Sequence, residues 1–493
     1  MNFLSLYILI LVLMMMGLFL SKSRKQIQII MITGASFLLL LSGALTYLYL
    51  TERAAGNTAE MLFRADSVWY APFNIHYSVG VDGISVAMLM LSSIIVFTGV
   101  LVSWKIDPMP KEFFLWFCLL AIGVFGFFIS IDLFTMFMYY EVALIPMYLL
   151  IGVWGTGKKE YSAMKLTLML MGGSALLLVG ILGIYFTTGG STMNILELSK
   201  LKVPVEMQRY FFPLTFMGFG VLGALFPFHT WSPDGHSSAP TAVSMLHAGV
   251  LMKLGGYGCF RVAMFLMPEA AHEMAWIFLI LTGISVVYGA FGAIHQTDLK
   301  YINAYSSVSH CGLVLFALLM MNQTATTGAI LQMVSHGLIT ALFFALIGMI
   351  YGRTHTRDIR LMGGLMKVIP FLGVSYVIAG MASLGLPGLS GFVAEMTVFV
   401  GSFQYADTFH RILTIGACAS IVITTVYILR VVGKVIFGPM QDKHHETLTD
   451  AVMYERIPVI VLTAAIFGIG MFPGWISSMI GDSVLPLISQ FIR

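Results

Sequence analysis

Charge is what this sequence has least of. Only 10% of its 493 residues are Asp, Glu, Lys or Arg, while 58% are hydrophobic; a soluble domain averages about 25% charged residues. That scarcity excludes an ordinary water-soluble domain, and a formal net charge of +3 gives no sign of a nucleic-acid partner. Cysteine is equally sparse. Cys118, Cys259, Cys311 and Cys418 stand singly in apolar surroundings, without the spacing of a zinc site or an iron–sulfur cluster, and read as small packing residues. No phosphate loop is present. The stretch GFGVLG (Gly218–Gly223) fits a dinucleotide pattern, yet it lies inside an apolar run with no strand before it, so it reads as helix packing. The sequon at Asn322 (NQT) reads as a chance match. Large polar segments are also missing. The longest polar connections, 51–82, 188–209 and 435–456, are too small for a cofactor domain.

What the sequence has in abundance is long apolar runs, each able to cross about 30 Å of hydrocarbon as a helix. Fourteen spans are expected, at 4–20, 27–49, 83–104, 113–131, 132–153, 163–187, 210–230, 240–265, 274–295, 303–321, 325–350, 368–404, 410–434 and 457–476. The first is followed by SKSRK and another apolar run without a small-residue cleavage site, and reads as an anchor. The fold class expected is therefore all-α and polytopic, a single membrane domain over 1–493. Its parts are N-terminal helices in 1–104, five-helix units in 113–265 and 274–434, and a C-terminal helix in 457–493.

Lysine and arginine orient the chain. Connections after odd-numbered spans carry sixteen of them, including Lys22, Arg24, Lys25, Lys158, Lys159, Arg353 and Arg357; the other side carries seven, including Arg53, Arg64 and Arg493. Both termini are expected outside the cytoplasm.

Two spans are interrupted. The seventh contains Pro227 and runs into SPDGHSSAP; the twelfth contains ASLGLPGLSG, with Pro387, Gly388 and Gly391. If spans 4–8 and 9–13 form two units, each break falls in the fourth helix of its unit. An odd number of spans per unit inverts the second relative to the first. Matched interruptions in inverted repeats point to a transport site at the membrane middle.

The buried charges fit that idea, because an ionisable side chain at mid-membrane costs roughly 2.5–3.5 kcal/mol even on insertion scales and needs a partner, a water path or a task. Glu141 lies in MFMYYEVALIPMYLLIGVWG, five residues before Pro146. Bonding to a carbonyl freed by that proline is the plainer alternative to proton exchange. Lys253 lies in HAGVLMKLGGYG with no other charge within seven residues, and pairs with a carboxylate or carries protons. His247, six residues earlier, sits about 9 Å along the helix and about 120° around it. Glu395 follows the second break, beside backbone that water can reach. His336 (QMVSHGL) and His310 (SSVSHCG) are suited to proton relay or to interhelical hydrogen bonding. Lys300, next to Asp298 at a helix boundary, is a carrier or an interfacial lysine.

Taken together, these residues resemble the antiporter-like membrane subunits of respiratory complex I, closest to the bacterial subunit M or mitochondrial subunit 4 type. The motifs are YSVGVDGIS (77–85), YYEVALIPMYLLIGVWG (139–155), FPFHTWSPDGHSSAPTAVSMLHAGVLMKLGGYG (226–258), QTDLKYINAYSSVSHCGLV (296–314), QMVSHGL (332–338) and ASLGLPGLSGFVAE (382–395). The resemblance covers nearly the whole chain, which ends soon after span fourteen without the long lateral helix of the larger L type. The resemblance implies fourteen helices, two inverted five-helix repeats and a hydrated polar axis. By motif, Glu141 matches the fifth-helix glutamate, Lys253 the eighth-helix lysine, His336 the eleventh-helix histidine and Glu395 the twelfth-helix glutamate. It implies proton pumping without a redox centre on this chain. NADH, flavin, iron–sulfur clusters and quinone would sit on partner subunits, and further antiporter-like subunits would be neighbours in the bilayer.

One departure stands out. The family carries a seventh-helix lysine nine residues before the tryptophan of its HxW motif, paired with the fifth-helix glutamate. That tryptophan is Trp231 here, so the position is Leu222, and no Lys or Arg lies between Arg209 and Lys253. His247 stands where an apolar residue is usual, and a proton path shifted through it is one consequence. Three readings follow: a proton-translocating subunit of a complex I-type enzyme, a subunit of a cation/proton antiporter or membrane-bound hydrogenase, or a scaffold that does not pump. A bacterial inner membrane is favoured over a mitochondrial one.

Overall fold

Among residues 2–489, which the computed structural model describes, ten helices are long and apolar enough to cross a membrane. Helices α1 (Ser5–Leu20), α2 (Arg24–Ala54) and α3 (Gly83–Val102) precede α4 (Pro110–Ile129), α5 (Leu133–Trp154) and α6 (Lys159–Thr187). A short α7 (Ile195–Leu201) leads into α8 (Val205–Leu222), α9 (Trp231–Ser238), α10 (Thr241–Leu246) and α11 (Met252–Gly258). Then come α12 (Pro268–His295), α13 (Leu299–Leu319), α14 (Gln323–Thr354), α15 (Pro370–Ser383), α16 (Ser390–Ser402), α17 (Thr408–Val431), α18 (Met453–Met471) and α19 (Gly474–Ile488). This is a polytopic membrane fold. Outer helices leave Phe19, Leu40, Leu168 and Val422 exposed, whereas α13 and α14 are almost wholly enclosed.

Several helices start at a polar residue that satisfies otherwise orphaned backbone N–H groups. Asp82 accepts from Ser85 N, Asp132 from Thr135 N, and Asp298 from Lys300 N and Tyr301 N. Asn322 does the same for α14 through Ala325 N and also donates to the Gly401 carbonyl, so the sequon amide is engaged in the fold. The GFGVLG glycines serve packing, as read above. A Cβ on Gly218 would meet the Gly173 carbonyl oxygen of α6 at 2.8 Å, so the two helices touch backbone to backbone.

Both interruptions are present. Between α8 and α9 the chain leaves the helix, yet its amides find partners: Leu225 N donates to Gly220 O, and Phe226 N to Ser285 Oγ of α12. Trp231 Nε1 donates back to Val221 O at 3.0 Å and stitches the gap. Between α15 and α16, Gly385 (φ +64°) and Gly388 (φ +91°) adopt left-handed backbone around Pro387. Lipid-depth backbone of this kind persists only where it is enclosed by protein or lines a cavity.

The helical run over 241–264 contains two π turns, His247–Leu251 before α11 and Cys259–Met264 after it. Such turns widen the hydrogen-bond ladder and recur at functional sites.

Three features differ from the reading of the sequence. The 51–82 connection folds into an antiparallel hairpin, β1 (Leu62–Tyr70) and β2 (Ile75–Val81), turning at Asn74 with φ 49°. Its edge meets the α4–α5 turn through a Val79–Ser130 bridge, so the fold is not purely α. The polar 188–209 connection contains α7, capped by Asn194. The C-terminal helix expected in 457–493 is two helices, α18 and α19, because Pro473 cannot continue the ladder. Arg493, counted among the basic residues, lies outside the described residues, as do 490–492 and Met1.

Candidate functional site

Four of the expected residues form one buried row across four helices. Lys253 is 1% exposed on α11. Its Nζ donates to the Ala248 carbonyl at 2.6 Å, inside the first π turn, and lies 2.8 Å from His336 Nδ1 on α14. The His336 ring stands 5.1 Å, centroid to centroid, from that of His310 on α13. His310 Nδ1 is 3.1 Å from Gln332 Nε2 and 3.5 Å from Glu395 Oε1 on α16. Every member is a group that can hold and hand on a proton. The carboxyl sits beside a cavity of about 10 Å³ lined by Ser309, Ser383, Ser420 and Thr424, close to the size that admits one water.

The second break sets the carboxyl in place. A Cβ at Gly385 would lie 2.7 Å from Glu395 Oε2, and one at Gly391 would lie 2.2 Å from the Ala382 carbonyl oxygen. Glycine is therefore what lets the half-helices α15 and α16 close on each other with Glu395 turned toward the gap.

The other expected residues stand outside this row. His247 is stacked on Trp231, with ring centroids 5.3 Å apart, and neither ring nitrogen has a hydrogen-bond partner among the described residues. Glu141 on α5 forms no ion pair among the described residues. Its Oε1 is buried without a hydrogen-bond partner among the described residues. Leu222, at the end of α8, is completely buried. Lys300 is enclosed at the start of α13 and donates to the Ala239 carbonyl at 2.7 Å, at the C-terminal end of α9. Arg357 donates to Ser237 O beside it and pairs with Asp298. Two cationic side chains thus meet the negative end of one half-helix.

Sequence reasoning missed three polar groupings. His236 lies 4.4 Å, ring to ring, from His247, and its Nδ1 is also unpartnered. The motif PDGHSS carried that signal. Lys165 pairs with Asp234 at 2.7 Å, and Tyr301 donates to the same carboxylate at 2.9 Å. Arg261 and Asp82 form a wholly buried ion pair. Asp82 was legible as the VDG helix cap, but its partner lies 179 residues away.

Comparison with known proteins matches residues 130–424 to the family described as NADH:quinone oxidoreductase/Mrp antiporter, transmembrane. The chain is 37% identical over 397 residues to NAD(P)H-quinone oxidoreductase chain 4-2 of Synechocystis sp. (strain ATCC 27184 / PCC 6803 / Kazusa), covering 80% of this chain and 71% of that one. It is 34% identical over 444 residues to NADH-quinone oxidoreductase subunit M of Rhodobacter capsulatus, covering 87% and 85%. Its fold is similar to a chain of respiratory complex I from Thermus thermophilus with bound NADH, with a TM-score of 0.89, 24% identity and 99% of both chains covered.

Proposed function

This chain belongs to the NADH:quinone oxidoreductase/Mrp antiporter family, and on that premise we propose that it is a proton-translocating membrane-arm subunit of a complex I-type quinone oxidoreductase. Protons would pass along Lys253, His336, His310 and Glu395, driven by quinone reduction in adjoining subunits. The observation that carries this reading is the run of those four side chains, from the 2.8 Å Lys253–His336 contact, across the 5.1 Å between the His336 and His310 rings, to the 3.5 Å His310–Glu395 approach. Buried ionisable groups of this density cost several kcal/mol unless they are paired or used.

In this reading the chain spans the bilayer fourteen times. Spans 4–8 and 9–13 form two inverted five-helix units, and the breaks after Leu222 and Ser383 are equivalent positions. Glu141 accepts protons at the first unit, His247 and His236 extend the path from its side, and Lys300 serves the link between units. NADH, flavin, iron–sulfur clusters and quinone belong to partner subunits, and other antiporter-like subunits adjoin this one. The membrane is a bacterial inner membrane with both termini on the non-cytoplasmic side, as the basic residues favour.

A second reading, a scaffold copy that does not pump, is favoured by one observation: Glu141 Oε1 has no hydrogen-bond partner among the described residues, and the position of the usual lysine is the apolar Leu222. Substrate-driven proton uptake into membrane vesicles separates the two. Lys253→Ala and Glu141→Ala, compared with wild type at equal assembly, are expected to lower protons moved per electron. Unchanged ratios in both variants would leave the scaffold.

A further inference from the structure

One helical stripe leads out of the polar row toward the face that bears the hairpin. Lys253, Tyr257 and Arg261 follow one another at four-residue spacing, about 6 Å per step along the helix. Tyr257 is buried, and its hydroxyl is 2.8 Å from Ser85 Oγ on α3. Ser85 N in turn donates to the Asp82 carboxylate, which is ion-paired with Arg261. The Arg261 guanidinium lies over the Tyr257 ring, 5.6 Å from its centroid. Beyond that pair the protein opens into a cavity of about 350 Å³ lined by Asp82, Arg261, Arg53, Asp482 and Ser483.

Two features of the cavity point to water as its content. Arg261 is 3% exposed, yet its Nε has no hydrogen-bond partner among the described residues, and a buried guanidinium N–H left unpaired is costly unless something fills the space. The lining also carries two arginines against two aspartates and Glu60. This near-balance provides no strong field to retain an anion or a metal cation, whereas a cavity of this size with donors and acceptors on its walls holds several waters. The walls are tied together. Arg53 Nε donates to Tyr49 Oη at 3.0 Å, Tyr49 and Ser483 share a hydrogen bond of 3.1 Å, and Gly83 N donates to Ser483 Oγ.

We propose that the Tyr257–Ser85 hydroxyl pair and the Asp82–Arg261 vestibule form a proton exit from Lys253 to the aqueous face bearing the β1–β2 hairpin. This inference rests on the proposed proton-carrying role of Lys253. In the step, the Lys253 ammonium gives up one proton through a water to the Tyr257 oxygen and is left as the neutral amine. The Tyr257 hydroxyl proton passes to Ser85 and from there to vestibule water. Each oxygen receives one proton as it releases another, so no charge is left on the hydroxyls. Asp82 and Arg261 hold the end of this path open and do not themselves change charge.

The test uses the assembled complex in sealed vesicles and measures protons moved per electron, with uncoupled quinone reduction as the check on assembly. Tyr257→Phe and Ser85→Ala each keep the packing and remove one hydroxyl. Each is expected to lower the ratio to the value given by Lys253→Ala, while uncoupled electron transfer changes less than twofold. A wild-type ratio in both hydroxyl variants, with loss in Lys253→Ala, overturns the exit and leaves the parent reading standing. A wild-type ratio in Lys253→Ala overturns both. Asp482, exposed at the mouth, provides a measurement that does not depend on the buried variants. Asp482→Cys is expected to react with a membrane-impermeant thiol reagent from the hairpin side only, and protection of the introduced thiol on both sides overturns the open vestibule.

Discussion

Lys253 and His336, which lie 83 positions apart in the chain, meet at 2.8 Å with both side chains buried. Removing one partner leaves a buried polar group unsatisfied at a cost of about 1–3 kcal/mol, whereas replacing both with apolar groups of similar shape is nearly neutral. His336→Ala is therefore expected to lower the thermal stability of the detergent-purified complex. The double variant Lys253→Met/His336→Leu is expected to regain most of that stability and to move no protons through this subunit. A double variant that pumps normally would remove the row from the mechanism.

Leu222 stands at the position where the resemblance places the lysine that pairs with the fifth-helix glutamate, here Glu141. A lysine placed alone in the buried site of Leu222 would cost several kcal/mol, and a nearby carboxylate would offset it. Leu222→Lys is expected to assemble to near wild-type levels when Glu141 is present and to fail with Glu141→Gln. Subunit abundance in membranes, measured by immunoblot for the four combinations, gives the coupling. Equal abundance of both Leu222→Lys variants would mean that the two positions do not face each other.

Glu141, Lys253 and Glu395 were legible because a charge inside an apolar run is conspicuous, and the breaks were legible because Pro227, Pro387 and Gly388 interrupt helices by known steric rules. What joins these residues was not. The approach of His310 to Glu395 depends on how the second break folds, and the Asp82–Arg261 pair joins residues with nine helices, α3 to α11, between them in the chain. The π turns flanking α11 leave no mark in composition, since HAGVL and CFRVAM are mostly apolar, like the α-helical turns beside them. The hairpin was hidden for a different reason: β1 has mixed polar and apolar residues, most of them exposed, so it lacks the alternation of a half-buried strand.

Lys300 is held by a backbone carbonyl, which makes its structural contribution separable from any proton transfer. With Arg357 it neutralises the C-terminal end of α9, an arrangement worth about 0.3–1 kcal/mol per charge and up to about 2 when partly buried. Lys300→Met retains the apolar stem and loses the amine. It is expected to reduce thermal stability by about 1–2 kcal/mol. Lys300→Arg is expected to retain most of the stability. If proton translocation falls in Lys300→Met and stays low in the stable Lys300→Arg, the lysine also serves transfer; recovery in Lys300→Arg would confine it to capping.

The second break allows the position of Glu395 to be tested without touching any titratable group. Gly385 and Gly388 both have positive φ, at +64° and +91°, and alanine in left-handed backbone costs about 1–2 kcal/mol at either position. Their surroundings differ. A Cβ at Gly385 would press on Glu395 Oε2 at 2.7 Å, whereas one at Gly388 would meet only Met471 Sδ, at 3.5 Å. Gly388→Ala thus carries the backbone strain alone, and Gly385→Ala carries the same strain plus displacement of the carboxylate from His310. Both variants are expected to melt earlier in the purified complex, Gly385→Ala by more, with only Gly385→Ala lowering protons moved per electron in vesicles. If the two lose pumping equally, strain in the break would explain the loss, and the His310–Glu395 approach would have no part in it.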